Sequence, residues 1–153
     1  MSAFEPVDPN FDARVRASFA RQTVMATIGA RLEQLAPGAA EIALPFRADL
    51  CQQHGFVHAG IVATIADSAC GYAAFSLMAP EAAVLSVEYK LNLLAPARGE
   101  LFVARARVLR PGKTLTVCAA DVFALEAGRE TLIATMLATI MALVERAGLE
   151  RGT

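Results

Sequence analysis

Between Leu50 and Pro80 the chain carries a single formally charged side chain, Asp67, within the run HGFVHAGIVATIADSACGY from His54 to Tyr72. Burying a lone carboxylate is costly unless something holds it there. A carboxylate withdrawn from water, yet kept ionised by a few polar neighbours, is an effective general base and can also attack a carbonyl carbon directly. The structural alternative is a mid-helix aspartate that faces solvent or bonds a neighbouring chain. Apolar residues on every side of Asp67 favour the base or nucleophile.

His54 and His58 stand four apart, a spacing that can ligate a metal when one formed helix carries both. Gly55 intervenes at a loop-to-helix junction, and no cysteine has ligand spacing, so no metal is expected. The two histidines are assigned to holding the loop or to contacts near a substrate. Amides at a helix start have no intrahelical partner and point off its end. The small Ala59 and Gly60 would let a ligand carbonyl reach them, forming an oxyanion-type site. A Gly60 that only relieves crowding fits equally well. Arg110-Pro-Gly-Lys113-Thr114 looks superficially like a phosphate loop, but Arg107 occupies the position where that motif needs glycine. It is a hairpin turn, with Arg110 and Lys113 either solvated or in contact with a phosphate.

These residues need a scaffold. Asp8-Pro9-Asn10 supplies cap chemistry before Phe11, Val15 and Phe19, so a short N-terminal helix is expected over about residues 10–22. From Val24 to Leu32 the apolar period reads as two, then Pro37-Gly38 makes a turn and Ala40 to Phe46 continues the alternation. That predicts a hairpin. Val57 to about Leu77 is apolar nearly all round and rich in small residues, the pattern of a helix buried against a sheet. Tyr72, Phe75 and Met78 on it would line a pocket or fill the core. Four strand-like runs follow, Ala83–Ala95, Glu100–Arg110, Thr114–Leu125 and Thr131–Val144, and their short connections predict an antiparallel meander. The order is α-β-β-α-β-β-β-β, an α+β chain with about six strands curled around one long central helix.

Composition excludes several functions. A net charge of −1 gives no electrostatic case for nucleic acid or an anionic membrane, and no stretch reads as a membrane span. Hydrophobic content of 56% against 19% charged residues is high for a monomer and points to a homo-oligomer. Cys51, Cys70 and Cys118 form no paired framework, and the N-terminus MSAFEPVDPN lacks signal-peptide features, so a reducing, cytoplasmic setting is expected.

HGFVHAGIVATIAD resembles the HGG…D segment of the hotdog-fold acyl-CoA thioesterases, in their phenylacetate-degradation (PaaI-type) branch. LSVEYKLNLLAPARGE and VLRPGKTLTV resemble the same family's strand after the helix and its following hairpin. The likeness runs from about Val24 to Val144 through three ordered motifs. It implies a hotdog fold in a single domain over residues 1–153, hydrolysis of a small-molecule acyl-CoA thioester, and no cofactor, since CoA belongs to the substrate. It implies that Asp67 drives hydrolysis and that the Ala59 amide polarises the thioester carbonyl. It also implies that Gln52, where relatives often carry Asn, helps place water or substrate, and that the Ser86 hydroxyl assists. This chain has HAG where the family has HGG. Family members pair two sheets edge to edge and share sites across the pair, implying a homodimer or homotetramer. Two alternatives stand beside this reading. A hotdog hydratase or dehydratase would pair a catalytic histidine with an acid in a loop motif not found here. A non-catalytic acyl-CoA sensor would normally carry a DNA-binding extension, for which the N-terminal segment is too short and too neutral.

Overall fold

The computed structural model describes residues 4–144, so the outermost ends of the expected 1–153 domain lie outside it. Helices α1 (Phe11–Arg21) and α2 (Thr23–Ile28) precede strands β1 (Arg31–Ala36) and β2 (Ala39–Pro45). The central helix α3 (Ala59–Phe75) is followed by β3 (Ala83–Leu93), β4 (Leu101–Arg110), β5 (Leu115–Glu126) and β6 (Arg129–Leu143). All six strands join one antiparallel sheet in the order β1-β2-β4-β5-β6-β3, wrapped around α3 as a hotdog fold.

Alanine makes the wrapping possible. Ile65, Ala66, Ala69, Cys70 and Ala73 of α3 are fully buried, and they meet Ala104, Ala120, Ala138 and Ile140 on the inner face of the sheet. Small side chains on both partners bring helix and sheet close together, and Ile42, Phe102 and Val122 fill the remaining volume. Tyr72, Phe75 and Met78 belong to this core, with the Tyr72 ring tilted 60° against Phe19 of α1 at a centroid distance of 5.7 Å.

Two sequence expectations need correction. Val24 to Ile28 is helical, and the first strand starts only at Arg31. The segment TVMATI satisfies both periods, and the buried pair is Met25 and Ile28, one helical turn apart, while Val24 is exposed. Gly29, at φ 79°, ends the helix in the left-handed conformation. The last four strands are also not a simple meander. β4, β5 and β6 are consecutive neighbours, but β3 pairs with β6 on the far edge. Residues 94–100 cross three strand spacings, about 14 Å, and are tied down by Leu94 N–H to Ile133 O and by Val57 N–H to Ala97 O.

The N-terminal segment clamps the far end of α3. Asp8 is buried, accepts from the Asn10 amide at 2.8 Å and pairs with Arg14 Nε at 2.8 Å. Arg14 Nη2 donates to Met78 O at 2.8 Å and to Phe75 O at 3.3 Å, placing a cation on carbonyls at the negative end of the helix. The Asn10 amide, and after it the Arg14 guanidinium, hold the Asp8 carboxyl below its ordinary value of 3.8. Its stabilising contribution is therefore complete above the unfolded-state value and is lost as pH falls through the lowered native one. Asp8→Asn is expected to lower Tm at neutral pH and to flatten the acid limb of the Tm–pH curve. An acid limb identical to the parent's would remove this clasp from the stability of the fold.

Candidate active site

His58 forms the N-cap of α3 with extended backbone, and its Nδ1 accepts the Gly60 amide at 2.8 Å. The ring must therefore be unprotonated at Nδ1. A Cβ on Gly60 would lie 3.1 Å from that nitrogen, which accounts for this glycine. The Ile61 and Val62 amides both bond His58 O. Ala59 N–H is left as the open donor of the first turn, with no partner among the described residues. The capped Gly60 amide is not available to a ligand carbonyl, so of the two expected amides only Ala59's is.

Gln52 braces the preceding turn. Its Oε1 accepts the His54 amide and, at 3.4 Å, the Phe56 amide, leaving its Nε2 for a ligand. Gln52 and Ala59 together line a cavity of about 420 Å³ whose other walls include Phe56, Val62, Leu93 and Ile133. Among the described residues Gln52 supplies its only polar side chain and no charged one lines it, so it suits an uncharged arm of a ligand. The His54 side chain is exposed on the turn and does not line the cavity.

Asp67 sits two turns further along α3, half-buried on the face turned toward β3. Ser86 Oγ donates to Asp67 Oδ1 at 2.7 Å, and Oδ2 has no partner among the described residues. A bulge aims this serine. The β3–β6 register slips between Ser86 and Glu88, so Val87 is the extra residue, and Ser86 and Tyr89 both face the helix side. Burial, with Cys118 and Asp67 nearby, pushes the neighbouring Cys70 thiol far above its ordinary range, and burial pushes Cys118 up to about 12. Neither thiol can act as a nucleophile near neutral pH.

β3 runs opposite to α3, since Ser86 meets Asp67 while Leu93 and Leu94 reach the cavity beside Ala59. The turn bearing Arg110 and Lys113 lies at the other end. Ala142 N–H donates to Thr114 O, and Ala142 pairs with Val84, so that turn is about 10 Å from the β3 residue preceding Ser86 on the inward face. Both cations are exposed and unpaired among the described residues. Arg105 and Arg107 share the outer sheet face but are already engaged. Arg105 bonds Glu130 and Glu41 and lies over Phe123, and Arg107 pairs with Asp121. One chain therefore gathers Gln52 and Ala59 at one end of α3, and Asp67, Ser86, Arg110 and Lys113 toward the other.

The sequence pattern of the Thioesterase superfamily matches residues 54–130, half of the chain. This chain belongs to the Thioesterase superfamily. It is 59% identical to a thioesterase family protein from Silicibacter pomeroyi, with a TM-score of 0.87 over 88% of this chain and 99% of that one. It shares its fold with the PaaI protein from the E. coli phenylacetic acid degradation operon, 18% identical, TM-score 0.79, covering 88% and 94% of the two chains. A Halobacterium salinarum protein provisionally named an esterase is 35% identical over 99 residues, covering 61% of this chain. The match spans 65% of that relative, just under two thirds of its length.

The cap gives a direct test of the α3 start. His58→Ala is expected to cost about 1 kcal/mol in chemical denaturation, and His58→Asp, which restores a side-chain acceptor, should recover most of it. Equal losses in both variants would mean that the ring serves something other than the Gly60 amide.

Proposed function

We propose that this chain hydrolyses an acyl-CoA thioester to the free acid and CoA. The observation that carries the reading is Asp67, an isolated carboxylate braced through one oxygen by the Ser86 hydroxyl and open at the other. Thioester hydrolysis needs a donor for the developing oxyanion and a group that attacks or activates water. The Ala59 N–H, unpartnered among the described residues, suits the first role and Asp67 the second. Attack by Oδ2 would form an acyl–aspartyl anhydride and release the CoA thiolate, and water would then open the anhydride. Acting instead as general base, Asp67 would take a proton from the attacking water and return it to the departing thiolate. In a single turnover in heavy-oxygen water, label in Asp67 would establish attack by the side chain, since only an anhydride opened at the aspartyl carbonyl passes water's oxygen to the residue. No cofactor is required in either route.

Ala59 and Asp67 are eight positions apart on one helix, about 12 Å along its axis. That is too far for both to serve one carbonyl. We therefore assign the site to two protomers, with the Ala59 amide and cavity of one facing Asp67 and Ser86 of the other. β3 supplies the pairing edge, for Leu85, Val87, Tyr89 and Leu93 are each 45–55% exposed along it. The opposite edge, β1, is short, bulged between Leu32 and Gln34, and carries the Arg31–Glu33 ion pair. With three free cysteines among the described residues, the proposed compartment is the cytoplasm.

Asp67→Asn keeps an acceptor for Ser86 and removes only the charge. It is expected to reduce kcat at least about a hundredfold across a panel of acyl-CoAs, with Tm unchanged. Near-parental turnover would exclude this mechanism, and a parent that releases no CoA from any member would favour a sensor. Light scattering should give at least twice the 16.2 kDa chain mass, and a mass near 16.2 kDa at micromolar concentration would rule out a shared site. Arg110→Ala combined with Lys113→Ala should raise KM for acyl-CoA with little change in kcat, because binding common to ground and transition states is lost. The effect should be weaker on acyl-pantetheine, which lacks the nucleotide phosphates.

A further inference from the structure

Every glycine among the described residues has a local reason to be glycine except one. Gly29, Gly38, Gly55 and Gly128 lie at positive φ, and a Cβ on Gly60, Gly99 or Gly112 would press on a ring or on backbone at 3.1 Å or less. Gly71 has ordinary helical backbone, and a Cβ there would meet nothing within 4 Å. Inside α3 it weakens the helix without relieving any contact with the described residues. The position is half-buried and opens onto space that no described residue fills.

We propose that the gap at Gly71 is the passage for the pantetheine arm of CoA. This rests on the CoA-thioester reading above and adds the direction in which the substrate lies. Gly71 is one turn past Asp67 on the same face of α3. Val84 precedes Ser86 on the inward face of the antiparallel β3, so it lies toward the same end. Beyond Val84, through Ala142 and Thr114, comes the turn with the exposed Arg110 and Lys113. A line from the reacting carboxylate past Gly71 thus leads to two cations suited to phosphates. The pantetheine arm is a narrow uncharged chain that joins a thioester to phosphates, and a missing side chain is the clearance such a chain needs. The acyl group then points the other way, into the partner's uncharged cavity beside Ala59.

Gly71→Ala and Gly71→Leu test this, since both residues favour helix more than glycine and neither should lower Tm. Gly71→Leu is expected to raise KM for acyl-CoA on the order of tenfold, Gly71→Ala less, with a smaller change in kcat. The S-ethyl thioester of the same acid, which has no arm, should be spared, and the ranking of acyl groups should stay as in the parent. An equal penalty on the S-ethyl ester, or a changed acyl ranking, would put the acyl group at Gly71 and overturn the proposal. Loss of the oligomer with unchanged KM would assign the gap to a partner helix and overturn it too. Calorimetric titration with CoA reads the same passage without turnover. A parent that binds CoA but hydrolyses no thioester would defeat the enzymatic reading alone, and the variants would still have to bind CoA more weakly. A parent that does not bind CoA, or variants that bind it as well as the parent, would overturn the passage itself.

Discussion

A sheet can wrap a helix only as closely as the side chains between them allow, and here alanines stand on both sides of that contact. That closeness leaves little room between the middle of α3 and the inner sheet for a polar group and its partners, and the polar groups of the candidate site lie at the helix start and along the open strip facing β3. Asp67 occupies the strip and Ala59 the start. The same closeness silences Cys70 and Cys118, whose thiols are held too far from ionisation to compete with a carboxylate.

The ends of α3 are managed by opposite means. At its start, one ring nitrogen of His58 takes the Gly60 amide and leaves the Ala59 amide bare, so the cap selects which donor a ligand can meet. At its finish, side chains cover carbonyls instead. Arg14 covers Phe75 O and Met78 O, and Ser76 Oγ accepts Gly38 N–H while donating to Ala73 O. One end is finished for stability, and the other keeps a vacancy.

Much of this arrangement was legible in the residues. The apolar run around Asp67 marked α3 because a helix buried on nearly all sides lacks the usual polar stripe, and turn residues marked the strands that follow. The short α2 was not legible, since six residues with apolar side chains at both spacings satisfy either period until packing chooses Met25 and Ile28. The place of β3 beside β6 was not legible either, because a seven-residue link constrains reach and not the neighbour. Ser86 was reached only through family likeness, as its direction depends on a bulge with no local sequence signal. The Asp8–Arg14 clasp escaped because its acceptors lie more than sixty positions away. Gly71 was the opposite case, a helix-interior glycine plain in the sequence whose open surroundings only the structure shows.

The bulge at Val87 divides β3 into two stretches with opposite parity. Upstream of it, even-numbered positions such as Val84 and Ser86 face α3, and downstream the odd-numbered Tyr89 and Leu91 do. Removing Val87 alone would set Ser86 and Glu88 against Ile140 and Thr139 in uniform pairing, with both stretches still turned toward α3. Removing both residues between Ser86 and Tyr89 would instead make those two neighbours on opposite faces. A related chain shorter by one residue in that interval can therefore keep its hydroxyl beside the helix, whereas one shorter by two must give up either the hydroxyl or the apolar pair.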